Sequence, residues 1–274
     1  MAKRLTVLDF FKKFPTEDTC LDHVMEVRYG RKSQCPKCLK DTEFYKIAKR
    51  PAYACKFCGH HVYPCAGTPF ENTRTPLQMW FYAIYLFTTT KHGVPAKELQ
   101  RQLGVTYKTA WRMGHEIRKY MGKVDGDTGL GGDIEIDETY IGGRDKTAGR
   151  PGRKSKKTPV FGMLQRGGEV IAKVVPDAKS KTLLPILGQH VDMGSRILSD
   201  DYRPYRQLKG LGYRHEHVAH GRQEYVRGDV HTNSIESFWA RLKLSIRGTH
   251  IHVSRKHLQK YVGEFEYGEV LELL

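Results

Sequence analysis

The sequence predicts a mixed α/β chain in which a strand-containing domain follows a cysteine ribbon and a run of helices. Three observations carry that expectation. Four cysteines stand in two C-x2-C pairs, Cys35/Cys38 and Cys55/Cys58, with sixteen residues between the pairs. Between residues 76 and 122, apolar residues recur at helical spacing. Beyond a Gly/Asp-rich linker at 123–132, strand-like segments begin at 134–141, 160–164 and 170–175. An amphipathic helix around 181–190, a strand at 196–198 and a long helix from about residue 233 follow, which is a mixed α/β order.

Length and charge narrow the class. At 274 residues the chain is long enough for about two domains with their own cores. Aromatic residues at 11% argue against disorder as the main state, and no apolar run approaches the roughly 20 residues of a membrane span. Charges in the first fourteen residues interrupt any signal-peptide core, so a cytoplasmic protein is expected. The balance of 46 Lys+Arg over 30 Asp+Glu gives a formal charge of +16, and a polyanion is the expected partner. Both halves share the excess: residues 1–132 carry 22 basic and 12 acidic groups, and residues 133–274 carry 24 and 18.

Residues 1–30 read as one short helical lead-in with Leu8, Phe11 and Phe14 on one face. The cysteines of the 31–75 ribbon match a closed four-thiolate zinc site: each pair supplies one edge of a tetrahedron, and no open position is left for chemistry. Cys20 and Cys65 read as small core residues. In the 76–122 segment, Leu99 and Leu103 close one helix, Gly104 supplies a turn and Thr106 caps the next helix. Ala110, Trp111, Gly114 and Ile117 are expected to face inward. Lys108, Arg112, His115 and Lys119 are expected on one outward face, as a recognition helix in a major groove requires. An ordinary helical hairpin with a solvated basic face is the plain alternative.

The acids of the last domain, residues 132–274, call for a chemical reading. Asp137 lies on a strand where Ile134 and Ile136 alternate with Glu135 and Asp137. Asp200 ends an apolar strand, next to Asp201. Glu236 lies three residues into a helix that Asn233 can cap, and Lys243 follows two turns later. Thirty-five residues separate Asp200 from Glu236. Carboxylates from two strands and a helix can hold a pair of divalent ions for phosphoryl transfer. Taken singly, each acid is equally a surface charge or a cap. The insertion at 144–157 has seven basic residues against one acid, among them Arg150, Arg153 and Lys154, and suits phosphates. A second basic stretch runs through Arg247, His250, His252, Arg255 and Lys256, with its histidines facing either DNA or the core.

In their joint order these motifs, together with GTPFENTRTPLQMWFYAIYLF, IDETYIGG, LSDDYRPY and HTNSIESFWARLK, resemble bacterial insertion-sequence transposases of the DDE type, in the ISXO-like subgroup with an N-terminal zinc ribbon. The resemblance covers nearly all of the chain from about residue 20. It implies a ribonuclease-H-like catalytic domain, two Mg2+ or Mn2+ ions, and binding to terminal inverted repeats. Asp137 and Asp200 would be the first two acids. The third position has two candidates: the resemblance points to Asn233, while spacing and charge select Glu236, with Asn233 as its neighbour. Asp201 can replace Asp200 only with a one-residue shift of the strand. Lys243 and Arg247 would contact end DNA or the reacting phosphate. Synapsis of two ends implies a homodimer or higher oligomer on double-stranded DNA, with no membrane partner. Two other readings keep the same motifs: a DNA-binding regulator with an inactive domain, and a metal-dependent nuclease without strand transfer.

Overall fold

The computed structural model describes residues 5–30, 33–90, 92–124, 129–142, 157–219, 221, 224 and 226–273. The chain divides into two compact units, one of residues 1–89 with 99–116, the other of residues 90–98 with 117–274.

The first unit opens with two helices where the sequence suggested one. Helix α1 (Val7–Lys13) starts at a reciprocal capping box between Thr6 and Asp9, and α2 (Glu17–Tyr29) at one between Thr16 and Thr19. The buried face of α1 is also set differently. Phe10 and Phe14, four residues apart, enter the core, whereas Leu8 and Phe11 are 72% and 47% exposed. Phe10, Phe14, Leu21 and Met25 pack with Tyr53 and Val62 of the ribbon and Leu77 of the next helix. The ribbon itself consists of a pair, β1 (Ser33–Gln34) and β2 (Asp41–Thr42), and a three-stranded antiparallel sheet of β3 (Phe44–Lys46), β4 (Tyr53–Cys55) and β5 (His61–Val62). Helix α3 (Leu77–Thr89) begins after Pro76, and its first amides donate to the Glu17 carboxylate at 2.7 and 3.2 Å. Then come α4 (Ala96–Leu103), a turn in which Gly104 adopts φ +64°, and α5 (Tyr107–Val124). Thr106 caps α5 through the Thr109 amide at 3.3 Å, as its sequence position suggested.

The second unit is built on a five-stranded sheet in the order β10-β9-β6-β7-β8. Strands β6 (Asp133–Ile141), β7 (Thr158–Gln165) and β8 (Val170–Val174) form an antiparallel meander. Strands β9 (Arg196–Asp200) and β10 (Arg214–Val218) add in parallel on the other side of β6. One face carries a core of Ile134, Ile136, Phe161 and Met163 covered by α6 (Ser180–His190) and by a 3-10 segment, Arg203–Leu211. The other face packs Val160, Val170 and Ala172 against α7 (Asn233–Ser245) and α8 (Leu258–Leu273). Edge strand β8 is covered by α8: Gln259 accepts from the Val174 amide at 2.7 Å, and Glu266 accepts from the Ala172 amide. No described helix is long and apolar enough to cross a membrane.

Arg118, on the end of α5 that belongs to this unit, forms a buried polar cluster with Glu264 of α8 and Val94. Arg118 Nε donates to Glu264 Oε2 at 2.7 Å, and its NH2 donates to the Val94 carbonyl at 2.6 Å. His250 stands beside them with its side chain only 6% exposed, which settles this histidine as a core residue. Burial, reinforced by the Arg118 charge, pushes its pKa down to about 3. His215, whose Nε2 lies 2.9 Å from the Ser199 hydroxyl, is pushed down to about 4, again chiefly by burial. Both imidazoles are therefore neutral in the fold but titrate near 6.5 when unfolded. Stability should be complete above pH 6.5 and fall as pH drops from there toward 3, because the unfolded chain then binds more protons. The slope is at most about 1.4 kcal/mol per pH unit for each imidazole. Urea midpoints between pH 7 and 4.5 test this: His250→Asn should flatten the slope, and an unchanged slope would refute a neutral buried His250.

Candidate active site and metal centre

The acids are placed by strand alternation and register. On β6, Ile134 and Ile136 are fully buried in the core under α6, so Glu135 and Asp137 point to the opposite face, toward α7. Strands β6 and β9 run parallel with Glu135 opposite Leu198. The pairing ends there, and the same alternation two residues on puts Asp137 and Asp200, the last residue of β9, on one face, close enough for the Asp200 charge to act on Asp137. Asp200 Oδ1 accepts from the Tyr202 amide at 3.0 Å as the chain leaves the strand, while Asp201 is exposed beyond it. The alternation assigns Asp200, not Asp201, to the neighbourhood of Asp137.

Helix α7 packs over β6 and β7, on the Asp137 side of the pair. Its N-terminus is held by the fully buried Glu135 carboxylate, which accepts from the Ser234 and Ile235 amides at 2.9 and 3.0 Å. Asn233, expected as a possible cap, is instead the first residue of the helix. It is exposed, and the cap position belongs to Thr232. Farther along, Trp239 Nε1 donates to Asp137 Oδ2 at 3.0 Å, and Thr232 Oγ1 donates to Glu236 Oε1 at 2.9 Å. Glu236, Trp239 and Lys243 stand three and four residues apart, on one helix face.

The electrostatics match that geometry. Burial raises the Asp137 pKa to about 7, helped by the nearby charges of Glu138, Asp200 and Glu236. Burial also raises Glu138, which sits on the opposite face and accepts from Tyr205 at 2.5 Å. Half-buried Lys243 is depressed by its own burial, a shift that the Asp137 charge opposes. Beside it opens a cleft of about 460 Å3 lined by Tyr140, Lys157, Lys243, Arg247 and His252. A second cleft of about 570 Å3, lined by Lys179, Tyr202, Arg203 and Arg206, adjoins the Asp200 turn. Nothing in the sequence pattern pointed to Lys179, Arg203 or Arg206. Trp239 was legible in principle, lying between Glu236 and Lys243 at helical spacing.

Among the described residues, the cysteines are the one group that brings three or more potential metal-ligand atoms within 4.8 Å of one another. The Cys35 and Cys58 sulfurs are 3.7 Å apart and those of Cys38 and Cys55 3.8 Å. A tetrahedron with Zn–S bonds of about 2.3 Å has sulfur–sulfur edges of about 3.8 Å, so the donor set fits zinc. The three carboxylates are spread more widely. Like charges repel, and Trp239 and Thr232 hold Asp137 and Glu236 on their own sides.

On α5, Lys108, Arg112 and Lys119 are exposed as expected. His115 is not: it is buried, because the Trp111 ring lies over it with centroids 3.9 Å apart. Trp111, expected inside, is correspondingly 38% exposed. Met113 takes the inward position with Ala110. Arg112 also lies over the Trp80 ring, 5.5 Å from its centroid. Arg247 is exposed at the cleft, and Arg150, Arg153 and Lys154 lie outside the described residues.

A mixed sheet with acids on neighbouring strands, preceded by a four-thiol ribbon, is the setting in which the comparisons with known proteins fall. The ISXO2-like transposase domain matches residues 129–269, and the transposase zinc-ribbon domain matches residues 15–61. The chain belongs to the ISXO2-like transposase family. It is 29% identical, over 93% of its length and 91% of the relative's, to an uncharacterized protein in transposable element ISH50 of Halobacterium salinarum. A transposase-like protein of Haemophilus influenzae is 27% identical over 36% of this chain and 79% of its own. Among solved structures, a chain from a pre-cleavage Mos1 transpososome overlaps 69% of this chain and 75% of its own, at 11% identity and a TM-score of 0.23, too loosely to assign a fold.

Proposed function

We propose that this chain is a DDE-type transposase that binds the terminal inverted repeats of an insertion sequence and cleaves and joins DNA strands by metal-dependent phosphoryl transfer. The observation that carries the reading is the convergence on Asp137 of β6 of the Asp200 charge from the end of β9 and of Glu236 and Lys243 from α7. The antiparallel meander β6-β7-β8 with β9 and β10 parallel beyond β6 supports a ribonuclease-H-like domain.

The donors Asp137, Asp200 and Glu236 are hard oxygen ligands and suit Mg2+ or Mn2+. Two such ions, when bound, supply activation of a water or 3′-hydroxyl and stabilisation of the leaving oxygen. Glu236 is the third ligand, because a carboxylate offsets the charge of a divalent ion better than the amide of Asn233, its neighbour one turn back. Lys243 and Arg247 draw the end DNA into the cleft that they line and offset phosphate charge there. Helices α4 and α5 act as a helix-turn-helix, with Lys108, Arg112 and Lys119 toward the duplex. Arg150, Arg153 and Lys154 of the insertion hold phosphates. The zinc ribbon is structural, two copies or more bring the element ends together, and the enzyme works in the cytoplasm.

Purified protein with Mg2+ or Mn2+ and labelled duplexes of element-end sequence provides the test. The wild type is expected to nick at the element 3′ end and join that end to a plasmid. Asp137→Ala should lower both by roughly a thousandfold, the rate equivalent of several kcal/mol of charge stabilisation. DNA binding without metal-dependent cleavage would support a regulator instead, and nicks that never join would support a nuclease.

A further inference from the structure

Asp137 does not sit alone on its strand. Its antiparallel partner on β7 is Gly162, and on the same face of the sheet the Trp239 indole lies over that glycine. A Cβ at position 162 would come within 2.5 Å of Trp239 Cζ2 and 2.7 Å of Cη2, and within 3.0 Å of the Ile235 side chain. The ring is 3% exposed and packed in the core beside Phe238, with centroids 5.0 Å apart. An indole in that slot has one polar atom, and it is spent on Asp137 Oδ2 at 3.0 Å. Indole nitrogen can only donate, so the bond requires an acceptor and favours the ionised carboxylate.

We infer that Trp239, seated by Gly162, is a positioning residue that fixes the Asp137 carboxylate for divalent-ion binding. The inference rests on the metal-site reading above. A carboxylate at a strand centre has rotational freedom about its last bond. Donation to Oδ2, beside the hydrogen bond that the carboxylate accepts from the Glu138 backbone amide, restricts that freedom and fixes how the group faces Asp200 and Glu236. Outer partners of this kind orient ligands, and losing one typically weakens metal affinity by about 10–100-fold. A glycine opposite the acid follows directly, since any larger residue displaces the ring and with it the donor. Trp239 touches no reacting atom and transfers no proton.

The measurement is Mn2+ affinity of the full-length zinc-loaded protein, read from the EPR signal of free Mn2+, with cleavage rate against Mn2+ concentration as a second readout. Trp239→Phe keeps a ring in the slot and removes only the N–H. It should weaken Mn2+ binding by about tenfold or more, with most of the cleavage rate recovered at saturating Mn2+. Gly162→Ala should give the same shift through displacement of the ring, and it provides the test if Trp239→Phe fails to fold. Asp137→Asn separates the two levels of the argument. If it leaves Mn2+ binding intact, the metal-site reading fails. If it abolishes binding while Trp239→Phe and Gly162→Ala bind like wild type, the positioning role is overturned. A loss in Trp239→Phe that saturating Mn2+ does not restore, with affinity unchanged, also overturns it.

Discussion

Replacing Glu135 by alanine is expected to destabilise the second unit by about 3–5 kcal/mol, the cost of breaking a buried ion pair from one side. The carboxylate is fully buried and serves three groups at once. It closes the α7 N-terminus through the Ser234 and Ile235 amides, accepts from the Ser234 hydroxyl at 3.1 Å, and pairs with Arg166 Nε at 2.8 Å. Arg166 in turn donates to the backbone carbonyls of Asp229 and His231, at 2.8 and 3.1 Å, so the loop before α7 is tied to the same point. Alanine leaves two helix amides and Arg166 Nε without their acceptor, and the guanidinium charge without its counterion. Glutamine keeps a carbonyl for the amides but no charge for Arg166, and should lose less. Because α7 carries Glu236, Trp239 and Lys243, a shift of its N-terminus should also lower cleavage under conditions where the protein is still folded. Urea denaturation of both variants checks the order. A loss under 1 kcal/mol in Glu135→Ala would show that Thr232 and solvent cap α7 without help from the strand.

Glu135 also marks what was legible in the sequence. Alternation on β6 placed it correctly on the Asp137 face, but alternation alone cannot separate an acid that caps a helix from one that binds an ion. That distinction depends on a helix starting about a hundred residues later in the chain. The C-x2-C pairs, the Gly104 turn and the face of β6 on which Asp137 lies were legible because each rests on local spacing or on the period of two in a strand. The pairing of β6 with β9, which brings Asp200 near, is long-range and no local pattern shows it. Strand β10 was not. Arg-His-Glu-His-Val has no apolar alternation, yet it pairs with β9 and buries His215. Helix α8 hides for a similar reason. Leu258, Val262 and Phe265 form its apolar stripe, but Glu264 and Glu266 are buried beside them and become intelligible only with Arg118 and the β8 edge in place. His115 and Trp111 exchanged their expected environments because helical period fixes an angular position and cannot tell which side chain will lie over its neighbour.

Removal of zinc should produce the largest change in the first unit. The ribbon strands are only two or three residues long, well below the length at which paired strands hold themselves together. Four sulfurs within 4.8 Å of one another lose their common partner when the ion leaves, and remaining thiolates repel. Apparent zinc-binding energies of about 10–16 kcal/mol in small zinc-finger peptides set the scale of what the fold can lose. The disturbance should spread beyond the knuckles, because Tyr53 and Val62 of the ribbon share a core with Phe10, Leu21 and Leu77. Cys55→Ser is the sharper probe than chelation: Cys55 is 3% exposed and ends β4, so its loss opens the site from inside without stripping divalent ions from the carboxylates. Expected are a fall from one bound zinc per chain to none, and loss of near-UV dichroism from the Tyr53 region. Element-end DNA should bind much more weakly. Asp137 and Asp200 lie in the other unit, so Mn2+ binding at the carboxylates should persist. A Cys55→Ser protein that retains stoichiometric zinc, or one that loses it with an unchanged near-UV spectrum, would show that the ribbon does not depend on the ion.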